Sequence, residues 1–201
     1  MNVNKIIKRH FKIREKDTLP YVGRLKSTRL DIAKIMAAAN FKCGAEIGVA
    51  KATHACQLLN AIPGLHLYCI DPWYEYKPGK PSMDWAETRS KERTMTIAKR
   101  RLSKYNVTII EKASVDALNN IKNESLDFVY IDGAHDFDNV MRDLIEWTKK
   151  VRTGGIVAGH DYCEFYRGGV IAAVNAYINA HSIVEWYVTK EEVPSYFWVK
   201  K

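Results

Sequence analysis

Two short apolar segments of this sequence each run into a carboxylate and an imidazole. The first is followed by Asp132 and, three residues later, by His135, and the second by His160 and Asp161. Carboxylates combined with an imidazole can hold Mg²⁺ or Mn²⁺, and either histidine can act as a general base. The residue types therefore predict three catalytic candidates, Asp132, His135 and His160, and three metal-ligand candidates, Asp132, His160 and Asp161.

These four side chains meet only if the two segments are neighbouring strands. The segments, Leu126–Ile131 and Gly155–Gly159, are short and almost wholly apolar, which is typical of strands buried on both faces of a parallel sheet. Adjacent strands lie about 4.8 Å apart, so groups that follow two parallel strand ends can touch. We expect one crevice to contain both histidines.

From Cys43 onward, strand patterns alternate with helical ones, which predicts βαβ units and an α/β fold with helices on both faces of a mostly parallel sheet. The predicted strands are Gly44–Val49, Leu65–Ile70, Val107–Glu111, Leu126–Ile131, Gly155–Gly159, Ile183–Val188 and Ser195–Val199. The predicted helices are Thr53–Leu59, Asp84–Tyr105, Ser114–Asn120, Phe137–Lys150 and one from Gly169 through Tyr177. The short connection before Ser195 predicts an antiparallel hairpin that closes the sheet.

Two further helices, Asn4–Lys12 and Thr28–Ala39, precede the first strand. We interpret residues 1–40 as an N-terminal helical extension and residues 41–201 as one globular unit. The extension has three candidate positions: over a sheet edge, over a pocket or in a dimer interface. The aromatic segment from Trp186 to Trp198 is a second candidate surface for a homodimer.

The turn after the first predicted strand has features of a nucleoside site. Gly48 lets the backbone turn sharply and lets a ligand approach, although the segment lacks a full G-x-G-x-x-G fingerprint. Asp71 ends the second strand, at a position where α/β folds place an acid that binds ribose hydroxyls, and Glu46 is a second carboxylate at this edge. The alternative role for Asp71, which precedes Pro72, is to start a turn.

Composition limits the classes of function. The chain has 201 residues and is 47% hydrophobic, yet no apolar run approaches the roughly 20 residues that span a bilayer; we expect a cytoplasmic protein without a membrane partner. Its four cysteines lack paired spacing, which favours reduced thiols. A net charge of +8 favours anionic partners, although each basic cluster is more typical of a solvated helix face.

One long irregular segment, from Pro72 to about Asp84, follows the second strand. Loops of this length in compact domains are commonly lids or binding loops. We interpret it as a lid over a ligand.

Four motifs in order, EIGV, IDPW, DFVYIDGAHD and GGIVAGHDY, make the chain similar to a known family. The sequence from Cys43 to Tyr177 resembles class I S-adenosylmethionine (SAM)-dependent methyltransferases, within them a small bacterial and phage group. The resemblance implies a Rossmann-like, seven-stranded sheet with an antiparallel last strand, and a cofactor that lies over the strand ends.

The resemblance also implies roles for individual residues. Glu46 and Gly48 would face the methionine part, Asp71 would hold the ribose, and Asp132 would lie beside the sulfonium. The implied cofactor-binding residues are Glu46, Gly48, Val49, Thr53, Asp71, Trp73, Ser114, Asp132 and His135. Metal-binding relatives usually carry two adjacent carboxylates where this chain has His160 and Asp161, so a requirement for Mg²⁺ or Mn²⁺ stays open.

The expected reaction is methyl transfer from SAM to a small-molecule acceptor, in the first place O-methylation of a sugar or other hydroxyl. The histidines would remove the acceptor proton, or a divalent cation would lower the pKa of the hydroxyl.

Three alternatives remain. One is a nucleic-acid methyltransferase, against which stands the absence of an Asn/Asp-Pro-Pro-Tyr motif used around flipped bases. The others are a nucleoside-binding pseudoenzyme and a metal-dependent, hydroxylase-like protein on the same fold.

Overall fold

The computed structural model describes residues 2–14, 17–18, 20–22, 27–73, 91–164 and 168–201. Within these ranges the chain forms an eight-stranded sheet with helices on both faces. The strands are β1 (Tyr21–Val22), β2 (Cys43–Ile47), β3 (His66–Ile70), β4 (Val107–Ile110), β5 (Leu126–Ile131), β6 (Val151–Gly159), β7 (Trp186–Val188) and β8 (Tyr196–Val199). The helices are α1 (Val3–His10), α2 (Arg29–Ala38), α3 (Thr53–Ala61), α4 (Lys91–Leu102), α5 (Ser114–Ala117), α6 (Phe137–Lys150) and α7 (Gly169–Ala180), and a 3₁₀ turn (Leu118–Asn120) follows α5.

The strand order across the sheet is β1-β7-β8-β6-β5-β2-β3-β4. β8 runs antiparallel to β6 and β7, and the other pairs are parallel. This topology confirms the predicted Rossmann-like fold. Chain order reverses between β2 and β5, and ligands of open α/β sheets bind beyond the carboxyl ends of the strands at such a point.

Alternate residues of β5 face opposite sides of the sheet. Phe128 and Tyr130 pack with the apolar cluster that contains α1 to α4, and Val129 and Ile131 pack with the one that contains α5 to α7. All four are at most 4% exposed. Burial on both faces explains why the strand is apolar without a polar alternation.

Most predicted boundaries hold to within a few residues, and β5 and α6 match at both ends. β6 begins at Val151, earlier than predicted, because Val151 pairs with Leu126 of β5. β7 begins at Trp186, three residues after the predicted start. The predicted helix Asp84–Tyr105 is α4; residues 84–90, and the predicted lid beyond Trp73, lie outside the described residues.

The strand β1 was not predicted, because two residues are too few to show an alternating pattern. It pairs with β7 in parallel and adds an eighth strand at the sheet edge. The N-terminal helices pack beside it: the ring of Phe11 lies 5.5 Å from that of Phe197 in β8. A capping box formed by Thr28 and Asp31 fixes the start of α2.

None of the four cysteines, all of which lie in the described ranges, takes part in a disulfide bond. In the described part of the chain, no helix combines the length and the apolar character needed to cross a membrane.

Candidate active site

Strand register places four strand ends level with one another. Ile47 of β2 pairs with Ile70 of β3 and with Ile131 of β5, and Ile131 pairs with Gly159 of β6. The residues that follow these ends therefore line one edge of the sheet: Gly48, Asp71, Asp132 and His160.

Gly48 is required by the chain itself. Its φ is +88°, and a Cβ there would lie 2.7 Å from the Cα of Gly133 and would overlap the carbonyl group of Asp132. The amide of Asp132 donates to the carbonyl oxygen of Ile47 at 2.8 Å, which holds the two backbones together. The glycine thus permits the loop after β5 to approach β2. From the sequence alone, this role could not be told apart from the predicted approach of a ligand to Gly48.

Asp71 fixes the turn that follows β2. Its Oδ2 accepts hydrogen bonds from the amides of Val49 at 3.0 Å and Ala50 at 2.8 Å, and its Oδ1 accepts from the amide of Trp73 at 2.8 Å. Burial raises the pKa of Asp71 even though these three donors lower it. The turn role is present, and one lone pair remains on Oδ1 for the predicted ribose contact.

Three other predicted cofactor contacts surround this turn. The indole of Trp73 donates to the carbonyl oxygen of Ala50 at 2.8 Å, and the side chain of Val49 is buried in the core, which leaves its backbone for a ligand. Thr53 is exposed, and its Oγ1 accepts from Nη1 of Arg101 at 2.9 Å, so this hydroxyl faces α4. Their contacts with a cofactor stay predictions.

Ser114 belongs to a network below the loop after β5. Its hydroxyl donates to Oδ1 of Asp143 and accepts from Nε1 of Trp147 at 2.7 Å. Burial raises the pKa of Asp143 to about 7, against the effect of the Ser114 hydrogen bond. The other oxygen of Asp143 lies 3.8 Å from where a Cβ on Gly133 would be, so the network supports this loop.

The four side chains predicted from the strand ends do come together. Nε2 of His135 lies 2.9 Å from Oδ2 of Asp161 and 4.0 Å from Oδ1 of Asp132. Nδ1 of His160 lies 3.3 Å from Oδ2 of Asp161 and 3.9 Å from Oδ1 of Asp132. Asp161 therefore contacts both imidazoles, and Asp132 faces the same group. We call these four residues the edge cluster.

Charges within the edge cluster shift its protonation. Burial opposes a charge on His135, but hydrogen bonds and charges from Asp132 and Asp161 outweigh it and raise the pKa of His135 to about 9. The same balance raises the pKa of His160. Burial disfavours the carboxylate of Asp161, but both imidazoles together lower its pKa. At neutral pH, His135 carries a proton in this arrangement.

The donor set fits a divalent cation. In the described residues, one ligand atom each from Asp132, His135 and Asp161 lie within 4.8 Å of one another. Ligand atoms held at about 2.0–2.2 Å from one ion lie at most about 4.4 Å apart, and the distances from Nε2 of His135 to Asp161 and Asp132, 2.9 and 4.0 Å, lie within this limit. The geometry thus adds His135 as a candidate ligand; His160, the candidate from the sequence, contacts the same carboxylate of Asp161 from the side, and the choice between the two histidines stays a prediction.

Glu46 lies below this edge and has a partner that the sequence did not indicate. Its Oε1 is 2.7 Å from Nδ1 of His54, and both side chains are buried. Burial raises the pKa of Glu46 well above its usual value and lowers that of His54 to about 3, so burial favours the uncharged form of each side chain. The ring of His54 also packs 4.1 Å from that of Tyr130.

A second residue not foreseen is Arg29, the first residue of α2. Its Nη1 lies 3.8 Å from Oδ2 of Asp132, which brings the N-terminal extension to the candidate active site. No sequence signal connects the two, because the contact depends on how α2 packs against the sheet.

The strand order, with its antiparallel β8 and a switch point between β2 and β5, is that of the Rossmann-like methyltransferase fold that the sequence predicted. A sequence family described as a methyltransferase domain matches residues 45–162, more than half of the chain, and the chain belongs to this family. The predicted enzyme class is thereby confirmed.

Solved structures agree on the fold. An O-methyltransferase from Bacillus cereus in complex with S-adenosylhomocysteine (SAH) superposes with a TM-score of 0.61 at 15% identity. The alignment covers 99% of this chain and 90% of that chain. The O-methyltransferase TomG from Streptomyces achromogenes, involved in tomaymycin synthesis and in complex with SAM, gives a TM-score of 0.58 at 12% identity, covering 100% of this chain and 90% of that chain. No curated protein sequence matches the chain.

Proposed function

We propose that this protein transfers a methyl group from SAM to a hydroxyl oxygen of a small molecule, the class that includes sugar hydroxyls. The observation that carries the proposal is the edge cluster, in which two carboxylates and two imidazoles meet at the switch point of a methyltransferase-family fold. The similar structures from Bacillus cereus and Streptomyces achromogenes are O-methyltransferases, and they hold SAH and SAM.

In this proposal the cofactor lies over the ends of β2, β3 and β5. Asp71 accepts hydrogen bonds from the ribose, and Ser114 and Trp73 border the adenosine. Glu46, uncharged and buried, lies below the methionine part, and Asp132 borders the sulfonium. The turn at Gly48 is already held by Asp71, so the cofactor meets a preformed surface.

The reaction is an in-line displacement. The acceptor oxygen forms a bond to the methyl carbon as the bond from that carbon to sulfur breaks, and the sulfonium becomes the thioether of SAH. The hydroxyl proton passes to the imidazole of His135 or His160 in its uncharged form. Because the neighbouring carboxylates raise the pKa of His135 to about 9, His135 must release its own proton before it can act as this base. Catalysis of such a step depends mainly on holding donor and acceptor at attack distance.

A divalent cation is a further part of the proposal. Asp132, His135 and Asp161 would hold it, and it would lower the pKa of the acceptor hydroxyl. Methyl transfer that persists undiminished after removal of divalent cations by a chelator would show that the imidazoles act without a cation.

Titration calorimetry with SAM and SAH is the direct test of the cofactor assignment. We expect both to bind, and absence of binding by either would overturn the proposal. Incorporation of labelled methyl from SAM into a panel of hydroxyl compounds then tests the reaction. Asp132→Ala and Asp161→Ala should each lower turnover at least 100-fold, while Asp138→Asn, an exposed change on α6, should not; full turnover in both alanine variants would show that the edge cluster is not the reaction centre.

A further inference from the structure

Among the described residues of the N-terminal extension, Arg29 is the one positively charged residue that forms an ion pair with the edge cluster. We propose that Arg29 binds an anionic group of the methyl acceptor, so that the preferred substrates are hydroxyl compounds that also carry a carboxylate or a phosphate. This inference rests on the proposed function, because it specifies the substrate class of the same site.

The backbone at Arg29 is fixed from both sides. Thr28 and Asp31 form a capping box around it, and the amide of Arg29 donates to Oε1 of Glu191, in the turn between β7 and β8, at 2.8 Å. Two residues before Arg29, the hydroxyl oxygen of Ser27 accepts from the amide of Lys190 at 2.9 Å. These bonds join α2 to the hairpin and preset the direction in which the arginine leaves the helix.

The side chain of Arg29 turns inward to the edge cluster. It is 28% exposed, and its Nη1 lies 3.8 Å from Asp132. Its positive charge partly offsets the rise in the pKa of Glu46 and of His160, and it adds to the fall in the pKa of His54.

The guanidinium retains hydrogen-bonding capacity. Its distance to Asp132 exceeds that of a hydrogen bond, and in the described part of the chain its side chain makes no hydrogen bond. An arginine has five N–H donors in a planar fork that matches a carboxylate or a phosphate. A partly buried fork with unused donors beside the reacting edge is suited to hold such a group on the acceptor.

The cofactor has a carboxylate of its own, so the test must separate the two anions. Protein freed of metal by dialysis is saturated with SAH, which fills the cofactor site, and inorganic phosphate is then titrated by calorimetry. The variants are Arg29→Gln and, as a matched loss of charge on the exposed side of α2, Lys34→Gln; the side chain of Lys34 is 62% exposed. SAH affinity is measured for every variant.

We expect the SAH complex of the wild type to bind phosphate, Arg29→Gln to weaken this binding at least tenfold, and Lys34→Gln and SAH affinity to change less than twofold. Absence of phosphate binding by the wild-type complex, or equal affinity in Arg29→Gln, overturns the inference. A tenfold loss of SAH affinity in Arg29→Gln with unchanged phosphate binding also overturns it, because Arg29 would then hold the cofactor carboxylate. Failure of the wild type to bind SAH is a failure of the proposed function, and phosphate titration of the cofactor-free protein then tests Arg29 alone.

Discussion

The carbonyl group of Asp132 packs directly against Gly48, so that these two neighbouring strand ends leave no room for a side chain between them. Gly48→Ala should therefore destabilise the protein by about 2–5 kcal/mol, since the positive φ costs about 1–2 kcal/mol and the overlap costs about 1–3 kcal/mol more. Urea unfolding measures the change.

Gly64→Ala is the matched control for this substitution. Gly64 also has a positive φ, +72°, but a Cβ there would meet only the side chain of Lys42, at 3.7 Å. Gly64→Ala should therefore lower the free energy of unfolding only by the cost of the positive φ, about 1–2 kcal/mol. Equal losses in the two variants would show that the approach of Asp132 does not demand the glycine.

The metal hypothesis gives a prediction that separates the two histidines. If Asp132, His135 and Asp161 are the ligands, His135→Gln and Asp161→Asn should each weaken Mn²⁺ binding at least 100-fold. His160→Gln should weaken it by about 10-fold, the size of effect that a residue supporting a ligand has. Titration of Mn²⁺ followed by electron paramagnetic resonance gives the affinities, with Asp138→Asn as the unaffected control. A larger loss for His160→Gln than for His135→Gln would restore the ligand set that the sequence predicted.

The sequence predicted those candidate site residues that directly follow a strand. Asp132 and His160 directly follow strands whose apolar pattern is clear, and adjacent parallel strands leave their end groups together by geometry alone. Asp71 and Gly48 were found for the same reason. The fold followed from the alternation of strand and helix, which every βαβ unit of the chain displays.

What the sequence did not show depends on tertiary packing. No motif in the sequence relates His54 to Glu46, and their contact forms because α3 folds back over β2. Arg29 lies more than 100 positions from Asp132 in the printed sequence, and no periodicity relates the two. The approach of His135 to both Asp132 and Asp161 likewise depends on side-chain directions after the strand ends.

The turn between β2 and α3 has alanines where left-handed backbone favours glycine. Ala50 and Ala52 have φ values of +46° and +58°, and Ala50 is exposed. Ala50→Gly should stabilise the protein by about 0.5–1 kcal/mol, because relief of about 1–2 kcal/mol of strain exceeds the entropy cost of glycine. Lys51→Gly, in the same turn but without a positive φ, should lose about 0.5–1 kcal/mol. Thermal unfolding measures the change in Tm of each variant relative to the wild type. A change of the same sign in both variants would argue against strain at Ala50.

Asp143 should make stability depend on pH near neutrality. Its pKa is raised by burial from 3.8 to about 7, so the folded state holds a proton that the unfolded state has released between those values. Stability contributed by this proton is full below pH 3.8 and is lost as the pH rises through about 7. Asp143→Asn keeps an acceptor for Ser114 and cannot ionise. Its free energy of unfolding, relative to that of the wild type, should therefore rise by about 3 kcal/mol as the pH rises from about 5 to about 8. Urea unfolding at both pH values checks this, with Asp138→Asn as the exposed control, and parallel pH profiles for wild type and Asp143→Asn would mean that Asp143 is ionised in the folded protein throughout.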